Sequence, residues 1–218
     1  MTIRFLTLGF ALVAAPLGAQ RDVGSRLAGR VSPEVAALVQ QLAKSAADRG
    51  LPVDPLIQKA IEGSAKGVPA DRVAVAVRAV AMQLDVAAAA LRQGGLTPPD
   101  TNAIAAGAFA LNAGLRERDL AELARADGSP AATLRVAGTL AALGVPPGQT
   151  VALVKASIRA GRPAAELLAL PAQLQAEVAR GNTPAQAAAG LARAAAASSR
   201  RGPPPGHGPP QPAHPQRP

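Results

Sequence analysis

Charged side chains are densest in the segment 116–125, the first place to look for acid–base chemistry. Three carboxylates alternate there with three arginines: Arg116, Glu117, Arg118, Asp119, Glu122 and Arg125. Spacings of two and three residues on a helix do not bring carboxylates to a common point. The pattern therefore favours a solvated surface whose charges pair with one another over a catalytic pair.

The other residue types that carry chemistry are scarce. The chain has no cysteine, and its two histidines, His207 and His214, lie in the Pro-rich C-terminal segment. A thiolate nucleophile, a cysteine-based zinc site and a disulfide framework are thereby excluded. The sequence predicts no catalytic residue, no cofactor and no metal site, and we expect a protein that is not an enzyme.

Arginine dominates the charge balance, which is +9 overall, with 23 basic and 14 acidic residues. A basic surface attracts polyanions or anionic lipid surfaces. Two interpretations are open: a bias of GC-rich coding sequence towards Ala, Gly, Pro and Arg, or a selected polyanion surface. In the second, the contacts would be made by six arginines if they gather on one face: Arg78, Arg92, Arg116, Arg118, Arg159 and Arg162.

Aromatic residues are nearly absent, because Trp and Tyr are missing and only Phe109 follows Phe5 and Phe10. Proteins that bind single-stranded nucleic acid stack bases on aromatic rings. Specific nucleic-acid binding is therefore not expected. The core must be built from Ala, Leu and Val, which bury less apolar area for each residue.

A glycine followed two residues later by proline recurs through the chain. Glycine tolerates the left-handed conformation that closes a helix, and proline suits the first turn of the next one. Each pair predicts one helix end joined to one helix start. The pairs are Gly50 and Pro52, Gly67 and Pro69, Gly128 and Pro130, Gly144 and Pro146, and Gly161 and Pro163.

These junctions, with apolar residues spaced three and four apart between them, predict an all-α fold of about nine short helices. The helices would form either an irregular helix-turn-helix bundle or a short α-solenoid-like array. Pro171 is expected to divide residues 164–180 into two pieces. The helix from Ala70 to about Arg92 has two apolar lines, one with Val73 and Leu84 and one with Val75 and Met82, which predicts a central helix contacted by several others.

The two ends of the chain differ from the helical part. Residues 1–19 have a positive charge, a short apolar run and small residues before Gln20, as in a secretory signal peptide. Residues 20–31 lack an apolar period and predict a flexible lead-in, 32–198 the helical domain, and 199–218 a disordered, basic, Pro-rich tail. Charged residues interrupt every later apolar stretch, so no transmembrane anchor is expected after signal cleavage. The mature protein would be exported, to the periplasm or outside the cell.

Three junction motifs carry a resemblance to known sequences: Gly50-Leu-Pro-Val-Asp-Pro-Leu56, Lys66-Gly-Val-Pro-Ala-Asp-Arg-Val73 and Gly144-Val-Pro-Pro-Gly-Gln149. In them the chain resembles uncharacterised exported Ala- and Pro-rich helical proteins of high-GC bacteria, over most of residues 32–197. The resemblance implies a helical exported protein and no particular activity.

Two functions follow as expectations. The first is a non-enzymatic periplasmic or envelope protein that acts by protein–protein interaction or as a scaffold, with a contact surface of small residues near Ile104, Gly107 and Phe109. The alternative is an electrostatic binder of anionic envelope polymers or anionic lipid surfaces through the six arginines.

Overall fold

The computed structural model describes residues 17–127 and 130–200, and in these residues the chain is entirely helical, as predicted. The proposed signal sequence up to residue 16 and the tail from residue 201 lie outside the described residues. Ten helices are seen in the described part: α1 Leu17–Leu27, α2 Pro33–Asp48, α3 Asp54–Ala65, α4 Ala70–Gln93, α5 Thr101–Asn112, α6 Glu117–Ala126, α7 Pro130–Ala142, α8 Pro147–Arg159, α9 Ala164–Ala179 and α10 Pro184–Arg200.

The chain forms two compact units, whose boundary falls inside α4 between Met82 and Gln83. In the first unit, α1, α2 and α3 all pack against one another. Its core is made of aliphatic side chains only, among them Leu27, Val39 and Ile57. Arg26 of α1 also pairs with the carboxylate of Asp54 at the start of α3, with 2.5 Å between Nη1 and Oδ1.

The predicted flexible lead-in at residues 20–31 is wrong, because most of it belongs to α1. The side chains of Val23 and Leu27 are buried, at 6% and 1% exposure. They stand four residues apart, which places them on one face of a helix. Two apolar anchors are enough to hold this short helix against α2 and α3, although they are too few to produce a visible sequence period.

The glycines of the predicted junctions do end helices. Gly50, Gly67, Gly144 and Gly161 all have positive φ, between 67° and 88°. After each of them a backbone N–H turns back to a carbonyl of the last helical turn, as from Val68 to Gly63 at 3.0 Å. This is the hydrogen bond of a Schellman motif. The fifth glycine, Gly128, lies outside the described residues.

Pro130 is the first residue of α7, as predicted, but the prolines of the other four junctions stand slightly earlier than expected. Pro69, Pro146 and Pro163 immediately precede α4, α8 and α9, and Pro52 lies two residues before α3. The carbonyls of Pro69, Pro146 and Pro163 accept the first helical hydrogen bonds, as from the Val73 N–H to Pro69 O at 3.0 Å, whereas at α3 the carbonyl of Val53 does so. These four prolines therefore flank the helix start and do not occupy its first turn.

In the second unit, helices pack most extensively with the second helix along the chain. One row contains α5, α7 and α9, and the other contains α6, α8 and α10. Consecutive helices cross between the rows, so the unit consists of three stacked helical hairpins. Of the two predicted arrangements, this one corresponds to the short α-solenoid-like array.

Helix α9 continues through Pro171, which corrects the predicted division into two pieces. Three leucines around the proline are buried: Leu167 and Leu170, which precede it, and Leu174, which follows it. A proline inside a helix removes one hydrogen bond and costs about 3 kcal/mol. Burial of leucines on both sides of Pro171 offsets this cost and keeps the helix in one piece.

The two apolar lines of α4 differ in burial. Val73, Val77, Leu84 and Leu91 are buried as expected of a core face. Val75 and Met82, on the second line, are 65% and 68% exposed. Within the described residues the second apolar line is therefore exposed, which does not fit the predicted central helix contacted by several others.

Candidate anion-binding groove

A long surface depression runs between α6 and α8 in the second unit. It consists of two adjoining hollows of about 490 Å³ and about 600 Å³. Arg118, Glu122 and Lys155 line both hollows, which makes them parts of one feature. We call it the α6–α8 groove.

The groove is formed by one stripe of residues from each helix. On α6, Arg118, Glu122 and Arg125 follow a spacing of four and three residues. The stripe of α8 follows the same helical period and consists of Gly148, Ala152, Lys155 and Arg159. Residues at such spacings share one helix face. Because Gly148 and Ala152 are small, the end of the groove near the start of α8 stays open.

Asp119 fixes the start of α6 and the arginines beside it. Its carboxylate accepts a hydrogen bond from the backbone N–H of Arg116 at 2.9 Å, and another from Arg116 Nε at 3.2 Å. Arg118 Nε lies 3.7 Å from the second carboxylate oxygen. The Asp119 side chain is only 7% exposed, whereas those of Arg116 and Arg118 are 54% and 70% exposed. One buried anion thus holds two arginines whose side chains remain accessible.

An ion pair between Lys155 of α8 and Glu122 of α6 crosses the groove. The Lys155 side chain is 24% exposed and that of Glu122 is 42% exposed. This partly buried pair joins the two helices at the point where the two hollows meet.

Positive charge exceeds negative charge along the groove. Two carboxylates, Asp119 and Glu122, stand among five cations, namely Arg116, Arg118, Arg125, Lys155 and Arg159. Both carboxylates already have cationic partners. Within the part of the chain that the structure describes, Arg125 and Arg159 have no carboxylate within ion-pairing distance. The groove therefore keeps cations available for an anionic ligand.

The six arginines predicted to contact a polyanion do not all gather on one face. Arg116, Arg118 and Arg159 line the groove. Arg162 is half-buried and lies 3.8 Å from Glu166, between its Nε and Oε2. Arg92 is exposed near the end of α4 but is not a lining residue, and Arg78 belongs to the first unit.

The expected self-paired surface at 116–125 is partly confirmed. Asp119 and Glu122 do pair with neighbouring cations, and Glu117 is exposed. Asp119, in contrast, is buried, and as the third residue of α6 it accepts a hydrogen bond from the backbone N–H of the N-cap residue Arg116.

The contact surface expected near Ile104, Gly107 and Phe109 does not exist as a surface. Ile104 is 1% exposed and Gly107 is buried. A Cβ at Gly107 would lie 3.2 Å from Ala87 Cβ and from Leu120 Cδ2. The small residues of α5 serve close helix packing, which occupies the space a partner would need. Phe109 alone remains partly exposed, at 43%.

Sequence reasoning did not select Lys155 and Arg125 for the groove. A signal was available, because Lys155 and Arg159 are four residues apart on α8, as are Arg118 and Glu122 on α6. Only the packing of α6 on α8, however, places the two charged faces beside each other. That relationship cannot be read from spacing within either helix.

In the residues described here, no group of three or more His, Cys, Asp or Glu side chains is arranged to hold a metal ion. The chain matches no known protein-family model, and no curated protein or solved structure is detectably similar to it. Any function must therefore be argued from the groove and the helix surfaces themselves.

Proposed function

We propose that this protein is a non-enzymatic binding protein whose second unit holds an anionic polymer in the α6–α8 groove. The observation that carries the proposal is the excess of cations along the groove, in which Arg118, Arg125 and Arg159 project from two packed helices. Arginines that gather on one face favour a polyanion surface, whereas scattered arginines favour compositional bias. Three of the six predicted residues lie together with Arg125 and Lys155, and this partial clustering supports the proposal.

The form of the groove favours an extended ligand over a small anion. Its two hollows are continuous, and their cations are distributed along both. A small anion would be held by several donors converging on one point, whereas a polymer needs charges in sequence along a track. Exposed arginine side chains can donate bidentate hydrogen bonds to phosphate or carboxylate groups.

Binding is favoured over catalysis by the state of the polar groups that line the groove. Its carboxylates are engaged in ion pairs, and its lining includes neither histidine nor cysteine. Aromatic residues are also missing from its lining, so neither bases nor sugar rings have a stacking surface. The ligand class we propose is therefore a polyanion recognised through its charged groups.

The location that we propose is the cell envelope or the outside of the cell, where acidic polymers would be the ligands. Its support is the signal-like pattern of residues 1–19. N-terminal sequencing of the protein recovered from a periplasmic or secreted fraction tests this part of the proposal, and a chain that begins at Gln20 is expected. A protein that keeps Met1 and stays in the cytoplasm would contradict it.

The groove is tested by equilibrium binding of the full chain to long-chain inorganic polyphosphate, with uncharged dextran as the reference polymer. Arg118→Glu combined with Arg159→Glu should reduce affinity by about tenfold or more at low salt, since each lost contact near a protein surface contributes about 1 kcal/mol or more. Binding of the unaltered chain should weaken steeply between about 20 and about 200 mM NaCl.

A matched control separates the groove from net charge. Arg135→Glu combined with Arg193→Glu changes the charge equally, at exposed positions on α7 and α10 outside the groove lining. Its affinity should fall far less. Ala152→Leu should also weaken binding, because it fills the groove without altering charge. Equal losses in the two charge variants, together with no effect of Ala152→Leu, would exclude the groove as the site.

A further inference from the structure

The solvent-facing side of α4 is apolar, which is unusual for the outer face of a helix. Val75 and Met82 are about two-thirds exposed, Ala79 between them is exposed, and Val86 is half-buried. By length and composition alone α4 could cross a membrane, contrary to the expectation that charged residues interrupt every candidate. The core helix of a soluble protein can have the same composition. In α4, one-third of the most apolar window is buried in the fold. Burial in the core therefore does not explain the apolar residues on the exposed side of this helix.

The spacing of these residues matches the contact line of a coiled coil. Val75, Ala79, Met82 and Val86 follow intervals of four, three and four residues. Apolar residues at such alternating intervals lie on one stripe that a second helix can cover. Single exposed apolar residues are common on proteins, but a regular stripe on a long helix is not.

Charges beside the stripe select the orientation of the second helix. Asp71, Arg78, Asp85 and Arg92 are seven residues apart, alternate in sign and flank the same side of the stripe. In an antiparallel pair of identical helices these flanking positions face each other. Asp71 then meets Arg92 of the other helix, and Arg78 approaches Asp85. Asp85 also has a polar partner within its own chain, so the selective pair is Asp71 with Arg92.

A parallel pair would lack this complementarity. The residues on the other side of the stripe are Ala76, Gln83 and Ala90, none of which is charged. In a parallel coiled coil, each residue of the charged series would face one of these neutral positions. The charge pattern thus favours an antiparallel copy.

We propose that α4 binds α4 of a second copy of this chain as an antiparallel pair. The two-fold axis passes near residues 80 and 81, so that Ala79 contacts Met82 of the other copy and Val75 contacts its Val86. A two-fold interface must be self-complementary, and the alternating charges provide this property. The proposal does not depend on the anion groove, which is lined by α6 and α8 and, at the end of α4, by Gln93, a residue outside the apolar stripe.

The oligomeric state of the full chain tests the proposal. Sedimentation equilibrium should give twice the chain mass for the unaltered protein and the chain mass for Val75→Glu combined with Met82→Glu. Leu168→Glu, at a residue that is 54% exposed on α9, is the control and should remain dimeric. All variants should keep their helical circular dichroism, since the altered side chains are exposed.

The absence of cysteine from the chain allows the orientation to be tested by crosslinking. Under oxidising conditions Val75→Cys combined with Val86→Cys should form disulfide-linked dimers, while Val75→Cys alone should not. Asp71→Arg should weaken the dimer, and Asp71→Arg combined with Arg92→Asp should restore it. If the unaltered chain is monomeric, the proposal is wrong. The same holds if the monomer binds lipid vesicles through α4. Efficient crosslinking of Val75→Cys alone overturns the antiparallel arrangement.

Discussion

Gly138 of α7 lies directly against the ring of Phe109 of α5. A Cβ at position 138 would stand 2.6 Å from Cδ1 of that ring and 3.0 Å from the Cα of Ala110. The first distance is shorter than a Cβ contact allows, and the second is tighter than most such contacts. The missing side chain at position 138 therefore permits the close packing of α5 and α7 that begins the first row of the hairpin array.

Gly138→Ala should lower the free energy of unfolding by about 1–3 kcal/mol, because the added methyl group overpacks the contact. This loss exceeds the gain of about 1 kcal/mol that alanine brings to a helix interior. Chemical denaturation followed by circular dichroism measures the difference. Gly190→Ala in α10 is the matched control, since no atom lies within 4 Å of the new methyl, and it should be stabilising. If the two variants gain stability alike, Phe109 yields to the methyl group and the contact does not control packing.

Gly67→Val should destabilise the fold by about 1 kcal/mol or more. The φ of Gly67 is 68°, and no atom lies within 4 Å of an added Cβ, so backbone strain and not crowding is the cause. Gly67→Asn should cost less, because asparagine tolerates the left-handed conformation better. Equal losses for Val and Asn in denaturant titrations would show that φ is not the deciding quantity.

Asp119→Ala should destabilise the protein by about 1–2 kcal/mol, because the capping box at the start of α6 loses the carboxylate that accepts the Arg116 N–H. Asp119→Asn should cost less, because the amide oxygen can still accept the Arg116 N–H, although the negative charge is gone. Glu117→Gln, which removes a charge from the same helical turn at an exposed position, serves as the control. A loss with Glu117→Gln as large as with Asp119→Ala would assign the effect to the helix dipole and not to the cap.

Glu62 should give a small stabilisation that depends on pH. A hydrogen bond from Lys66, assisted by the charge of Lys59, holds the pKa of this carboxyl below its ordinary value of 4.5. Because the folded pKa is depressed, the stabilisation is present above the unfolded pKa and is lost as pH falls through the folded pKa. The difference in unfolding free energy between Glu62→Gln and the unaltered chain should therefore shrink on acidification below pH 4.5.

High salt should reduce the same difference at neutral pH, since the carboxylate and its lysine partners are accessible to solvent. A Glu62 carboxyl that titrates at its ordinary pKa in an NMR titration would contradict the assignment.

The helix ends were the most predictable part of the fold. Gly50, Gly67, Gly144 and Gly161 adopt the conformation expected from local sequence, because a helix end is decided by a few neighbouring residues. Gly29, Gly95, Gly114 and Gly181 also have positive φ but lack a proline two residues later, so the Gly-to-Pro pattern passed over them. Helix α1 was missed for a different reason, since only packing reveals that Val23 and Leu27 are anchors.

The groove was less predictable because it depends on contacts between helices. Arg116, Arg118 and Arg159 were selected for their charge, yet the same reasoning also selected Arg162, which pairs with Glu166. Distinguishing these cases requires the packing of α6 on α8. The small residues of α5 show the opposite error, because Gly107 suggested an open surface where two helices in fact approach closely.

In the hairpin array, the residues that pack the helices together differ in type from the residues that line the groove. Leu and Ala hold the rows together, while Arg118, Arg125 and Arg159 of the α6–α8 groove are exposed and lie outside that packing. Substitutions of these three arginines should therefore change the charge of the groove with little effect on the scaffold. Each hairpin also contacts mainly its neighbours, so duplication of one hairpin could lengthen the groove by a further step.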